Sequence, residues 1–373
     1  MIDVITYLKL MADRRASDLF LTTGAPPSIK VDGLLHILNA PKLVVGEVEA
    51  IANGLMSEAQ RRQFESSKEC NFSWSRKDAG RYRINVYYQR GEVAMVLRMI
   101  NSQIPSFEAL GLPPTVAELA LLKRGLVLVV GAAGCGKSTT LASMIKYRSL
   151  NAAGHILTIE EPIEYLFSHA KSIVDQREVG IDTLTFGEAL HNALREAPDV
   201  IMLGEIRDRE TAQHALSFAE TGHLCLSTLH ANNASQAVER LLNFFPEDAQ
   251  KLVLQDLSHN LKAVVSQRLI PALDHTRALA VEILLQTPLI SDLIARGLIN
   301  QIQDELGKGH EQGMVALDDS LFALYHAGRI SAEQAIANAE SGANMSVKIR
   351  LSVRHTTADA PGLTMEPKWT EKF

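Results

Sequence analysis

The chain has 373 residues, 46% of them hydrophobic, and a formal net charge of −6. That length predicts roughly two domains with ample apolar mass for buried cores, and the acidic balance argues against a general electrostatic attraction to nucleic acid. No run approaches the ~18 uninterrupted apolar residues of a membrane span, and the three scattered cysteines, Cys70, Cys135 and Cys225, form neither a zinc motif nor a disulfide framework, which suits a reducing cytoplasm.

The opening MIDVITYLKLMADRR predicts an amphipathic helix with Val4, Ile5, Leu8 and Met11 on one side, and it lacks the basic start and apolar run of a signal peptide. Asp32-Gly33, between the alternating segments 28–31 and 34–38, predicts a hairpin. Residues 81–88, RYRINVYY, alternate strictly: Tyr82, Ile84, Val86 and Tyr88 fall on one face, Arg81, Arg83 and Asn85 on the other. A turn at 89–91 leads to a second strand over 93–99. These elements predict an α+β domain over 1–101, followed at 102–114 by a linker containing Pro105, Pro113 and Pro114.

From 115 the pattern becomes α/β. Apolar runs at 126–130, 155–159, 200–203 and 224–228 predict strands, with helical spacing between them, as over 186–197. Such alternation implies a mostly parallel sheet that binds ligands at the carboxyl ends of its strands. The first run feeds into Gly131, Ala132, Ala133, Gly134, Cys135, Gly136, Lys137, Ser138 and Thr139. This is the phosphate-cradling pattern G-x-x-x-x-G-K-S/T between a strand and a helix, so ATP is the expected ligand. The glycines let consecutive N–H groups turn toward a phosphate, and the helix start adds its positive dipole end. Lys137 then reaches the β/γ-phosphates and the Ser138 hydroxyl ligates Mg²⁺. Cys135 stands where Ser or Thr is more usual, a position that mainly needs a small side chain. Beyond 245 further amphipathic helices are expected, one carrying Leu254, Leu257, Leu261 and Val264. Residues 354–373 have little periodicity and predict a disordered tail.

Hydrolysis needs carboxylates near the phosphate loop, to hold Mg²⁺ and to orient water. The strand in PDVIMLGEIRD ends at Gly204-Glu205, a Walker-B-like arrangement, and HILTIE runs into Glu160, Glu161 and Glu164. Spacing alone does not choose between Glu160 and Glu164. His223 and His230 bracket the strand LCLSTL. A lone histidine there is more often structural, whereas two flanking one core strand of an ATPase point to phosphate sensing. No neighbouring ligand set makes them a metal site.

The succession GAAGCGKST, TIEEPIEY, PDVIMLGEIRD and TGHLCLSTLHANN resembles the Walker A, Asp, Walker B and His boxes of the type II/IV secretion ATPase superfamily. Further similarity runs through ASDLFLTTGAPP, GRYRINVYYQRG, QREVG and GMVALDDSLFALYHAGRI. The short N-terminal region and the lack of a tetracysteine insertion resemble the PilT/PilU pilus-retraction branch. PLISDLIARGLINQIQ at 288–303 matches only loosely the AIRNLIREGK-like stretch of PilT proper, which leans the resemblance toward the PilU type. Glu161 stands where the family commonly has Asp.

The resemblance implies an α/β protein with an N-terminal PAS-like α+β domain, a RecA-like P-loop ATPase core over 115–353 and a helical C-terminal region. It implies a hexameric ring with nucleotide between the two domains, hydrolysing ATP with Mg²⁺ to retract type IV pili. The implied place is the cytoplasm, at the inner membrane through a platform protein, alongside a PilT-like paralogue and without nucleic acid. Glu205, from its place after the strand, is expected to act on the metal or its water; the resemblance assigns Glu164 to polarise the attacking water, and Arg83 and Arg98 to nucleotide phosphates. A ring subunit that binds ATP and only modulates a partner motor is the alternative, and an extension or secretion ATPase a more distant one.

Overall fold

A computed structural model describes residues 4–31, 33–76, 79–100, 103–308 and 313–358, with side chains to 352. The chain divides into two compact units, one of Met1–Ile104, Ile159–His169 and Gln176–Ala189, the other of Pro105–Thr158, Ala170–Asp175 and Leu190–Phe373. The sequence suggested one break, at the 102–114 linker, yet two later segments join the first unit. Glu178 supplies a physical reason: its buried carboxylate accepts from Ser73 Oγ at 3.1 Å and Arg81 Nη2 at 3.2 Å.

The first unit runs α1 (Val4–Arg14), β1 (Asp18–Thr22), β2 (Ser28–Val31), β3 (Leu34–Ile37), α2 (Glu47–Leu55), α3 (Glu58–Ser67), β4 (Glu69–Arg76), β5 (Gly80–Gln89) and β6 (Glu92–Ile100). Its sheet has the order β3-β2-β1-β6-β5-β4, and every pair is antiparallel. The hairpin between β2 and β3 pairs Val31 with Leu34; Gly33 has φ +83°, and Asp32 lies outside the described residues. The alternation of β5 puts Tyr82, Ile84 and Val86 in the core with Leu8, Met11, Leu19 and Leu97. Tyr88, at the end of the same alternation, is exposed yet stacks on the buried Phe64, ring centres 5.0 Å apart. A reciprocal Ser57–Gln60 cap starts α3.

The second unit and the rest of the chain continue with α4 (Phe107–Leu110), α5 (Thr115–Ala120), β7 (Gly125–Val130), α6 (Lys137–Asn151), β8 (Gly154–Glu160), β9 (Ser172–Glu178), α7 (Phe186–Ala193), β10 (Val200–Leu203), α8 (Arg209–Glu220), β11 (Leu224–Leu229), α9 (Ala234–Asn243), α10 (Glu247–Asn260), β12 (Leu261–Pro271), β13 (Arg277–Leu285), α11 (Pro288–Ala295), α12 (Ile302–Leu306), α13 (Leu317–His326), α14 (Ala332–Asn338) and α15 (Gly342–Ala358). The sheet order is β13-β12-β7-β11-β10-β8-β9. β12, β7, β11 and β10 are mutually parallel, and β13 closes one edge antiparallel to β12. β7, β10 and β11 are buried at every residue, as expected of parallel strands covered on both faces.

Two expectations are corrected here. Leu261 and Val264 lie in β12, not in a helix: α10 stops at Asn260. A strand buried on both faces has no period-two signal, and the spacing of Leu254, Leu257, Leu261 and Val264 imitates a helical stripe across the junction. Residues 354–358, assigned to the tail, continue α15; 359–373 lie outside the described residues.

The Tyr82 hydroxyl sits fully buried, 2.6 Å from the Ala79 carbonyl oxygen and 3.1 Å from that of Leu8. Burial pushes its pKa up to about 12. Tyr82→Phe should therefore cost about 1 kcal/mol, read as a lower urea midpoint at unchanged slope.

Candidate nucleotide site

The register of the central strands assembles the site. Val130 of β7 lies opposite Leu229 of β11, and Leu203 of β10 opposite Ser227. Parallel pairing therefore brings the phosphate loop after Val130, the Glu205 segment after Leu203 and His230 after Leu229 to one end of the sheet.

The loop itself is built on glycines in left-handed conformations, with φ of +148° at Gly131, +77° at Gly134 and +94° at Gly136. A side chain at Gly131 would run into Cys135 Sγ and come within 2.6 Å of the Gln267 carbonyl oxygen. At Gly134 and Gly136 a Cβ would meet nothing within 4 Å, which leaves an open cradle for a group the size of a phosphate. Helix α6 starts from Gly136 without a side-chain cap, so its first amides remain for an anion. Lys137 is buried, and its Nζ donates to the carbonyls of Gly131 at 2.8 Å and Ala132 at 3.0 Å. An ammonium has three donors, so one remains for phosphate. Ala132, Ala133, Gly134 and Ser138 are exposed, Gly136 and Thr139 half-buried.

Cys135 is buried against Gly131, and burial pushes its thiol pKa up; it is a packing residue. Gln267 of β12 braces the loop from below. Its backbone carbonyl faces Gly131, and its side-chain Nε2 donates to Thr140 Oγ1 on α6 at 2.7 Å. No local motif marks Gln267 in the sequence, since its role depends on β12 pairing with β7.

Glu205 is held by the neighbouring strand. Thr228 Oγ1 donates to the Gly204 carbonyl at 2.8 Å, Ile206 N–H donates to the Thr228 carbonyl at 2.9 Å, and Ser227 Oγ donates to the Leu203 carbonyl at 3.0 Å. Glu205 Oε2 stands 3.4 Å from His230 Nε2, with both side chains nearly half exposed. A cavity of about 570 Å³ opens beside them, lined by Gly131, Ala132, His230, Ala231, Asn232 and Arg240 among others. The exposed Ser138 hydroxyl and the Glu205 carboxylate are hard oxygen donors of the kind Mg²⁺ prefers.

His223 stands apart from this group. It stands at the amino end of β11, where its carbonyl accepts from Gly125 N–H. At about 3.3 Å per residue, the strand sets it roughly 20 Å from His230, at the end of the sheet away from the phosphate loop. Its Nδ1 lies 3.1 Å from Thr221 Oγ1 and 3.3 Å from the Phe218 carbonyl oxygen. His223 thus closes the end of α8 and ties the start of β11 to it.

Glu164, Arg83 and Arg98 belong to the first unit. Glu164 is exposed, whereas Glu160 is buried and accepts from Gln176 Nε2 at 3.2 Å; Glu161 is exposed. Arg83 and Arg98 face each other directly across β5 and β6, a like-charge pair that is unfavourable unless neutralised. Asp18, buried and opposite Arg98, takes the Arg98 Nε–H at 2.7 Å. Arg83 stays exposed.

A phosphate loop after a buried parallel strand, with a carboxylate and a histidine at adjacent strand ends, defines a P-loop ATPase of mixed α/β fold. A family model for type II/IV secretion system proteins matches residues 58–312, and the chain belongs to that family. It is 49% identical over 364 residues to the type IV pilus ATPase PilU of Pseudomonas aeruginosa, covering 96% of this chain and 95% of the relative. To the type IV pilus retraction ATPase PilT of the same organism it is 41% identical over 333 residues, covering 89% and 97%. The crystal structure of the pilus retraction motor PilT with bound ADP superposes with a TM-score of 0.86 at 42% identity, covering 91% of this chain and 98% of that one.

Gly131→Ala should weaken ATP binding about tenfold or more, since strain at such a position costs ~1–3 kcal/mol. Titration with a fluorescent ATP analogue measures this, and unchanged affinity would contradict the packing of Cys135 and Gln267 against Gly131.

Proposed function

We propose that this chain hydrolyses ATP in the cradle at 131–139 and uses the energy to retract type IV pili, in the accessory role of a PilU-type motor. Its kinship with PilU and PilT over nearly the whole chain supports retraction. The observation that carries the mechanism is the 3.4 Å approach of His230 to Glu205 beside the phosphate loop. In this reading the first unit is PAS-like and the sheet of the second RecA-like, with the 102–114 segment joining two domains. Six copies form a ring, together with or alongside a PilT-like paralogue. Among the described residues no helix is long and apolar enough to cross a membrane; in this reading an integral platform protein of the inner membrane holds the ring on the cytoplasmic side.

Each residue has a distinct task. The amides of the loop and of the first turn of α6 hold the β-phosphate, and Lys137 neutralises charge that develops on the γ-phosphate oxygens. Ser138 and Glu205 would hold Mg²⁺, which screens the phosphates and lowers the barrier to displacement. Glu164, exposed where Glu160 is engaged, orients the attacking water and accepts its proton. Arg83, with Arg98 beside it, contacts phosphate. His230, 3.4 Å from the Glu205 carboxylate, supports turnover together with it and reports loss of the γ-phosphate to the chain beyond.

Lys137→Ala should abolish turnover, while Glu164→Gln should retain ATP and lose hydrolysis. Near-normal turnover in Glu164→Gln would remove it as the base. Cells lacking the protein should still assemble pili but retract them weakly under load, measured by tethered-bead pulling. Loss of pilus assembly in that strain would make the chain an extension ATPase instead.

A further inference from the structure

One buried charge in the second unit has no part in the mechanism above. Glu282 on β13 is 0% exposed. Its Oε1 accepts from the Ala234 N–H at 2.8 Å, the first residue of α9. Its Oε2 accepts from Gln303 Nε2 on α12 at 2.9 Å, and that same amide nitrogen donates to Glu340 Oε2 at 2.7 Å. One side-chain amide thus ties two carboxylates, one on the sheet and one between α14 and α15.

The loop between His230 and α9 is fixed around this point. Ser266, directly across β12 from Glu282, donates its hydroxyl to the Asn232 carbonyl at 2.9 Å. Asn232 N–H donates to Gln236 Oε1 at 3.2 Å, and Asn233 Oδ1 accepts from Gln236 N–H at 2.9 Å. From Asn232 to Ala234, each residue has a named partner, and His230 lies four residues before the amide that Glu282 holds.

A carboxylate buried this deeply is costly, and an apolar side chain of similar volume would pack at lower cost. What an apolar residue cannot do is accept from an amide at a helix start, where the dipole favours negative charge. Burial raises the Glu282 pKa, Gln303 and the Ala234 amide lower it, and Glu340 and Arg268 add opposing charges; the hydrogen bonds answer only part of the burial cost.

We propose that Glu282 is a positioning residue for ATP hydrolysis: braced by Gln303 and Glu340, it fixes the amino end of α9 and so the loop that sets His230 against Glu205. This rests on the role given to His230 above. It also gives the 288–303 segment and the helix after it a physical route to the phosphate site, through Gln303.

Steady-state ATP turnover by the full-length chain tests it. Glu282→Leu removes the acceptor, and kcat should fall about 10- to 100-fold, the scale of a small misplacement. KM for ATP should stay within about twofold, because only a transition-state interaction is lost. Glu282→Gln keeps an oxygen for the Ala234 amide, and its NH2 can donate to the otherwise unpartnered Gln303 Oε1 once that amide turns over, so kcat should return to within about threefold of the parent. In a His230→Ala background, Glu282→Leu should change kcat by less than about twofold, as expected of residues acting as a unit. Glu282→Gln falling as far as Glu282→Leu, a rise in KM with kcat kept, or multiplying effects in the His230→Ala background would each overturn the proposal. Should Glu282→Leu fail to fold, Gln303→Ala stands in: a severalfold lower kcat at unchanged KM supports the brace, and an unchanged kcat overturns it. Normal turnover in His230→Ala alone would instead defeat the underlying reading of His230; a slow His230→Ala beside an unimpaired Glu282→Leu would defeat only this one.

Discussion

The parallel pairing of β7 with β11, in the register that sets Val130 opposite Leu229, is the constraint on which the site depends. A one-residue slip of either strand would turn every side chain to the opposite face, against different neighbours. That fixed register lets two loops distant in sequence leave the sheet side by side. The phosphate cradle follows one strand and His230 the other, while the Glu205 segment leaves β10 two residues below and is drawn level by Ser227 and Thr228.

Those two hydroxyls illustrate how polar groups work inside a sheet core. Both are buried, and each donates to a carbonyl of the neighbouring strand or its extension. An unpartnered hydroxyl at such depth would cost more than an alanine; paired, it fixes where Gly204 and Glu205 emerge. Gln267 does the same below the phosphate loop. The chemistry-bearing residues are thus held by strand residues carrying no catalytic signature.

What could be read from sequence follows from the range of each interaction. The phosphate loop, the strand before it and the helix after it are local, so glycine spacing and one apolar run were enough. The same holds for the alternation of β5 that buries Tyr82 and turns Arg83 outward. β12 was misread because its apolar residues continue the spacing of α10, and only pairing with β7 makes it a strand. For a related reason the sequence did not say which end of β11 faces the phosphate loop, and His223 stands at the other end. Ser227, Thr228, Gln267 and Glu282 act through hydrogen-bond partners 21 to 127 positions away, and no local pattern carries such information.

The central claim is that Glu205 and His230 form one functional unit at the end of the parallel sheet. A double-mutant cycle on kcat, with Glu205→Gln, His230→Ala and the pair together, measures it most directly. The account predicts strong non-additivity, the double variant turning over ATP no more slowly than the slower single variant. Single effects that multiply in the double variant, as for independent sites, would contradict it.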